Sequence, residues 1–432
     1  AIDGITPNFE RYNPAKYVGV LQMNGYTYQA DGGNTYKIGY TTQFKPYATI
    51  DAPFGVRPSN NTFRQWTIHS KYLSNLTADN KMTACAGVAP RTRVMSHNTI
   101  HTYAAHNGAG YSGGSVTDWA FLQYMAYTKY ASLTLDGILQ GCVNHNYSRA
   151  AVVAESNTKR VIIASGNSAN FPVGSRVLVG TKGTTSDVND RYPAATYSIS
   201  GADGCKVTAV EDITVDGSNY TAIYVDCEAF DTVVDTAAPE NTTYVRSWHW
   251  DTGTTDSVLG NDGSPVSCTS GKYPAKLQGI EYMNGAYEVY ADAILNLTQD
   301  ATDTAKYYYE PYIVRSVANQ ATSITANYEA TGMKLLQPGT TAWQYQVKQK
   351  FSKGMFYCSD YTGGTSSTYH RDGIYLQAAT TGTREVLSFG TLHLGVAVGG
   401  LSAVYCDSTL SVANWNISAR LSPNGNRGEL TA

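Results

Sequence analysis

VLSFGTLHLGVAVGGLSAVYCDSTLSVANWNISARLS, residues 386–422, is the stretch whose reading decides the fold. No formal charge stands between Val386 and Cys406. A run of that length can cross a bilayer. Here, however, Gly390, Gly395, Gly399 and Gly400 interrupt it, and Ser388, Thr391, His393 and Ser402 add polar groups that a lipid-buried helix tolerates poorly. Membrane insertion is therefore not expected. The pattern reads as a strand, a loop and a second strand, closed by Asn414-Trp415-Asn416 and Arg420. Gly399-Gly400 would supply a turn of positive φ. After Glu385 only Asp407, Arg420, Arg427 and Glu429 are charged, so on pattern alone the stretch is a buried pair of core strands.

The chain around it has 432 residues, enough for two or three domains of ordinary size. Hydrophobic residues make up 42%, which supplies a core, while charged residues make up only 15%, well under the usual quarter. Polarity comes instead from Ser, Thr, Asn, Gly and 34 Tyr, a mixture suited to β-rich extracellular or virion proteins and to binding surfaces. A net charge of −3 without any basic cluster argues against a nucleic-acid partner. Ala1-Ile2-Asp3-Gly4 lacks the basic and apolar start of a secretory signal, and an already cleaved leader stays open. The cysteines are Cys85, Cys142, Cys205, Cys227, Cys268, Cys358 and Cys406. Their odd number, wide scatter and lack of C-x-x-C predict neither a disulfide framework nor a zinc site, and most read as buried thiols.

Residues 1–60 carry short strand signals at 16–23, 27–30 and 36–42 and read as a β-rich N-terminal arm that attaches the protein to a larger assembly. A strand at 62–73 opens the next unit, residues 61–149. Ser96 caps a short helix at 97–107, stopped by Gly108. Ser115 opens a second helix in a capping box with Asp118. Its stripe of Trp119, Leu122, Met125, Ala126, Tyr130 and Leu133 reads as core against a sheet. Runs at 161–164, 175–180, 205–210 and 220–226 then follow with β spacing, and Asp216-Gly217 is a hairpin turn. Residues 150–245 thus read as a small inserted β-barrel or sandwich, with Cys205 and Cys227 on neighbouring strands and their pairing left open. Residues 246–432 resume the pattern of 61–149, with further strands at 306–314 and 343–349.

The order Phe389-Gly390, small and varied residues, Gly400-Leu401-Ser402, then Asn414-Trp415-Asn416-Ile417, Ala419, Arg420, Leu421 and Ser422 resembles a known pattern. It is similar to the C-terminal variable region of the target proteins of diversity-generating retroelements. Those are phage-tail or cell-surface proteins with a C-type lectin fold. Asn107-Gly108-Ala109-Gly110, Trp119, Tyr130 and Ala131 resemble the first half of that fold, which also occurs in formylglycine-generating-enzyme-like domains. Gly260 to Pro265 and Gln278-Gly279-Ile280-Glu281 resemble its later segments. Where the family has an Asn and two Trp, this chain has Gly285-Ala286-Tyr287-Glu288-Val289-Tyr290, a departure in which Tyr can keep the packing role. The resemblance implies an α+β protein: a C-type lectin fold with two helices and short antiparallel sheets, carrying the inserted all-β domain and the N-terminal arm.

The same resemblance implies a ligand- or receptor-binding protein whose C-terminal face shows diversified residues to a host or partner cell surface. Its setting would be a virion tail fibre or an extracellular surface. The diversified set would be Thr391, His393, Leu394, Val396, Val398, Ala403, Tyr405, Asp407 and Thr409, clustered and exposed. Phe389, Gly390, Gly400, Trp415, Arg420 and Leu421 would be scaffold, with Trp415 buried and Arg420 bonded to a backbone or carboxylate group. Partners would be a cell-surface protein or glycan, and other tail proteins through the N-terminal arm; a homotrimer is compatible with that setting. No enzyme, cofactor or metal is expected. His97 and His101 have metal-binding i, i+4 spacing, but no Glu makes an H-E-x-x-H motif, and a solvent-facing or cap role is the plainer reading. Asp251, Asp256 and Asp262 read as turn residues. The alternatives are a structural tail-fibre subunit and a formylglycine-generating-type enzyme, for which only Cys358 and Cys406 are candidates.

Overall fold

In the computed structural model, residues 10–31, 36–43, 66–181, 198–266 and 269–423 are described. Residues 62–65 of an expected strand, Cys268, Arg427 and Glu429 lie outside them. The rest is assembled on the strand Tyr287–Gln299, whose sequence YEVYADAILNLTQ is buried over most of its length. A strand covered on both faces needs such a nearly continuous apolar run. Tyr287, Val289 and Ala291 pack against α1 (His97–Ala105), and Tyr290 packs on the opposite side with α2 (Val116–Tyr130). Further along the parity reverses. Ala293, Leu295 and Leu297 now join the α2 side, while Ile294 meets Val314, Tyr328 and Leu410. The register against the strand Gly382–Ser388 shifts between Val289 and Ile294, and such a bulge flips every following side chain to the other face.

That bulge sets Asp292 at the start of α2, where its carboxylate accepts from the Val116 N–H at 3.0 Å and from the Ser115 hydroxyl. Glu385 does the same for α1, accepting from the His97 N–H at 2.9 Å. Each helix therefore rests an N-terminal N–H on a carboxyl oxygen of the sheet. Ser115 caps α2 as expected, but Asp118 does not close a box. It faces the His69 Nδ1 at 2.9 Å instead. Phe121, Tyr124 and Tyr127 are buried together with Trp119, Leu122 and Ala126, so α2 is covered on more than one side. In α1 the box is closed by Thr99, whose Oγ1 accepts from the Ser96 N–H at 2.9 Å.

The fold is mostly β, with two α-helices among the described residues and several small antiparallel sheets. The largest sheet has nine strands among the described residues. At its centre Gly382–Ser388 lies beside Tyr287–Gln299, then Val404–Tyr405, Gly373–Leu376 and Ala342–Tyr345 follow. Two short pairings are parallel: Val404–Tyr405 on Gly373–Leu376, and Ile417–Ser418 on the start of Tyr287–Gln299.

The described N-terminal residues are β-rich, as expected, and part of them pairs and packs with later residues. Gly19–Met23 pairs antiparallel with Trp66–Ser70, from Gly19 opposite Ser70 to Met23 opposite Trp66. Val18 packs with Tyr72 and Ala86, and Val20, Ile38 and Tyr40 pack on the main core. A ladder thus crosses the boundary placed at residue 60, because the alternating strand GVLQM finds its partner beyond it.

A separate sheet, six-stranded among the described residues, is built from strands between Ser148 and Ser247 and encloses its own cluster, with Val161, Ile163, Phe171, Val177, Ile223 and Val245 at its heart. The Val152 N–H donates to the Ile162 carbonyl at 2.9 Å, which brings the edge strands Ser148–Ala150 and Arg160–Ala164 together. Asp216 and Gly217 both have positive φ, 49° and 79°, the backbone of a tight hairpin between Cys205–Val215 and Ser218–Val225. Cys205 and Cys227 form a disulfide with Cα atoms 5.6 Å apart. Ala150 pairs with Tyr244, so the segment enters and leaves side by side. Leu178 and the Arg176–Asp251 ion pair join it to the rest.

A candidate ligand-binding cleft

The strand Gly382–Ser388 ends at Phe389 and Gly390, with φ of 72° and 107°. The turn therefore falls here and not at Gly399-Gly400, neither of which has positive φ. Positive φ is costly for Phe and persists because packing fixes it: the ring is buried between Trp119 and Tyr282. Gly400 is needed for a different reason. A Cβ there would lie 2.0 Å from Asp372 Oδ1.

The loop leaving Phe389 is fastened along both flanks. The Leu392 N–H donates to Gly285 O at 2.9 Å, and the Gly395 N–H to Val143 O at 2.7 Å. Trp119 Nε1 donates to Leu401 O at 2.7 Å, and Gln346 Nε2 to Ser402 O at 2.6 Å. Asp372 accepts from the Ser402 N–H at 2.7 Å and the Ser402 hydroxyl at 2.8 Å. Burial, with Asp136 nearby, pushes the Asp372 carboxyl up to about 7. The chain then returns as Val404–Tyr405, paired on one side with Leu387 and Ser388 and on the other with Ile374 and Tyr375.

Between this loop and the far strands lies a cleft of about 220 Å³. His393, Leu394 and Tyr405 line it from the quoted stretch. Trp343, Tyr375 and Tyr287 line it from elsewhere, and Ser408, Asn414 and Asn416 add hydroxyl and amide groups. Tyr405 stacks on Tyr375 at 4.8 Å, and Trp343 stands edge-on to Tyr375 at 5.3 Å. Trp415 forms part of the base. It is buried, stacks on Trp248 at 5.4 Å, and carries the His393 ring 5.3 Å above it. Beneath, burial foremost, then Arg93 and His393, push the His249 imidazole down to about 3.

The nine expected variable residues do not all meet there. Thr391 and Ala403 are fully buried, which removes them from any display surface: the loop's first and last turns pack inward at those positions. The Thr391 hydroxyl instead bonds His393 Nδ1. Leu394, Val398, Tyr405 and Asp407 are half-buried, while Val396 and Thr409 are exposed. Val396 lies beside Gly271 and Val398 beside Gly373, and neither lines the cleft. Asp407 binds Gln377 Nε2 and the Tyr405 hydroxyl, the latter at 3.2 Å. The scaffold residue Arg420 is buried and donates to Glu288 through Nε at 2.6 Å and Nη2 at 2.7 Å. Sequence reading missed the second wall: Trp343 opened a stretch legible only as a strand, and Tyr375 lay in a stretch without a reading of its own.

The other residues weighed for chemistry are engaged. His97 is buried and not solvent-facing; its Nδ1 faces Tyr290 O at 2.9 Å and its Nε2 faces Ala321 O at 3.1 Å. Asp251 pairs with Arg176 and Lys206, Asp256 with Lys71 and Arg11, and Asp262 with Lys129. Cys358 and Cys406 are buried, and burial raises both thiols, Cys406 to about 12, which suppresses the nucleophilic thiolate. Among the described residues no three His, Cys, Asp or Glu side chains gather so that they could hold a metal ion, and no helix is long and apolar enough to cross a membrane. No known family and no curated protein matches this chain.

Proposed function

We propose that this chain is a receptor-binding protein of the retroelement-diversified kind, with a C-type lectin fold, which recognises a host or partner cell surface from a virion tail fibre or an extracellular surface. One observation carries the reading: a long loop with its backbone tied to the core on both flanks lends three of its residues, His393, Leu394 and Tyr405, to an aromatic cleft. A loop held this way can change its outward side chains without loss of the core beneath. The displayed set is narrowed to His393, Leu394, Val396, Val398, Tyr405, Asp407 and Thr409, since Thr391 and Ala403 lie inside. The buried thiols of Cys358 and Cys406 favour recognition over a cysteine-based reaction.

The test has two arms. The coding locus should hold a reverse transcriptase gene and a near-repeat of codons 390–422 that differs at adenines. In the second arm, His393→Ala with Leu394→Ala should abolish binding to cells that the unaltered chain binds, while the variant still melts cooperatively as a folded chain. Undiminished cell binding by that variant would refute the assignment of the cleft.

A further inference from the structure

Resting on the cleft as the recognition site, we propose that its ligand is a neutral sugar ring, the terminal hexose or N-acetylhexosamine of a surface glycan. Size comes first. At about 220 Å³ the cleft is smaller than the roughly 300–1,000 Å³ of sites that enclose drug-sized molecules, and it suits a single ring.

Charge comes next. Among the described residues no Asp, Glu, Lys or Arg lines the cleft. A carboxylate, sulfate or phosphate would enter without the Arg or Lys that normally receives it. A lysine or arginine of a protein partner would equally lack a counter-charge, because Asp407 beside the cleft is already bound to Gln377 and Tyr405.

The polar groups fit hydroxyls. The Asn416 amide, the Asn414 Nδ2, the Ser408 Oγ and the Trp343 Nε1 make no hydrogen bond among the described residues, yet all four residues line the cleft. An amide offers donor and acceptor side by side, which matches adjacent hydroxyls of a ring. The half-buried aromatic ring of Trp343 supplies a face for the apolar C–H side of a pyranose. Peptide capture by strand addition, by contrast, cannot use the strand Val404–Tyr405 at this cleft, which is paired on both sides.

The experiment uses the full chain on an array of neutral, sialylated and sulfated glycans. The matching free sugar is then titrated by tryptophan fluorescence. Retention of glycans ending in one neutral hexose or N-acetylhexosamine is expected. Asn416→Ala and Trp343→Ala should each weaken that binding about tenfold, the scale of one good hydrogen bond or stacking face. The Asn416 side chain has no hydrogen-bond partner among the described residues to lose, so its variant should fold even if the Trp343 variant does not. Retention only of anionic glycans, or of none, overturns the inference. Cells bound by the chain separate the two readings. Binding that periodate abolishes and protease spares supports the sugar. Binding that protease abolishes, periodate spares and Asn416→Ala weakens means a protein ligand: the sugar falls and the site stands. Cell binding untouched by both cleft substitutions removes the site itself.

Discussion

Replacing Arg420 by Met should show what holds the C-terminal stretch in place. The guanidinium of Arg420 is 7% exposed and makes a two-pronged bond to Glu288, itself 2% exposed, through Nε–Oε2 at 2.6 Å and Nη2–Oε1 at 2.7 Å. It also donates from Nη1 to Ser70 O at 3.2 Å, and from Nη2 to Glu281 O. One side chain thus ties the last strands to three others. Arg420→Met keeps the volume but leaves the Glu288 carboxylate buried and alone, a loss of about 3–5 kcal/mol. Arg420→Met with Glu288→Leu removes both charges and should recover most of that loss, since an apolar pair in place of a buried ion pair is close to neutral. Only the two carbonyls would stay unserved, at about 1 kcal/mol each. Urea unfolding followed by tryptophan fluorescence measures both variants, with Glu288→Leu alone completing the cycle. A single-variant loss below about 1 kcal/mol, the range of exposed pairs, would refute the reasoning. So would a double variant no better than the single one.

Three further outcomes follow. The Asp372 carboxyl is raised from 3.8 to about 7 in the folded state, so its contribution to stability is full below pH 3.8 and is lost as pH rises toward 7. Stability of the native chain relative to Asp372→Asn should therefore fall by up to about 1.4 kcal/mol per pH unit across that window and level off above it, and a flat difference in urea melts would count against the assignment. Gly400→Ala should cost more than Gly395→Ala, because a Cβ at 400 meets the anchored Asp372 carboxylate at 2.0 Å while one at 395 meets nothing within 4 Å. Overpacking of about 1–3 kcal/mol against backbone strain of about 1–2 kcal/mol is the expected order, and equal thermal shifts would deny the crowding. Converting both Cys205 and Cys227 to Ala should cost the six-stranded sheet about 3 kcal/mol, since the crosslink spans 22 residues; an unchanged urea midpoint would show that the bond does not constrain the unfolded chain.

What the sequence disclosed was set by how far its signals reach along the chain. Ser96 and Ser115 cap their helices and Asp216-Gly217 turns its hairpin because each signal is complete within a few residues. Asp118 had the right spacing for a box, yet His69, 49 positions away, claims its carboxylate. The N-terminal strand was legible as a strand but its partner Trp66–Ser70 was not, since alternation fixes a face without naming the neighbour. Gly399-Gly400 looked like a turn for want of side chains. Gly400 is instead small because Asp372, from a distant loop, crowds it, while a bulky Phe389 takes the positive φ. The cleft shows the same division. His393, Leu394 and Tyr405 lie within one quoted stretch and could be nominated together, whereas Trp343 and Tyr375 arrive through sheet pairing and carry no local mark. Thr391 and Ala403 failed as display positions for a related reason: alternation along an irregular loop does not say which side chains the loop turns inward. Substitutions at Trp343 or Tyr375 should therefore alter recognition as strongly as changes at His393, although nothing in the C-terminal motif points to them.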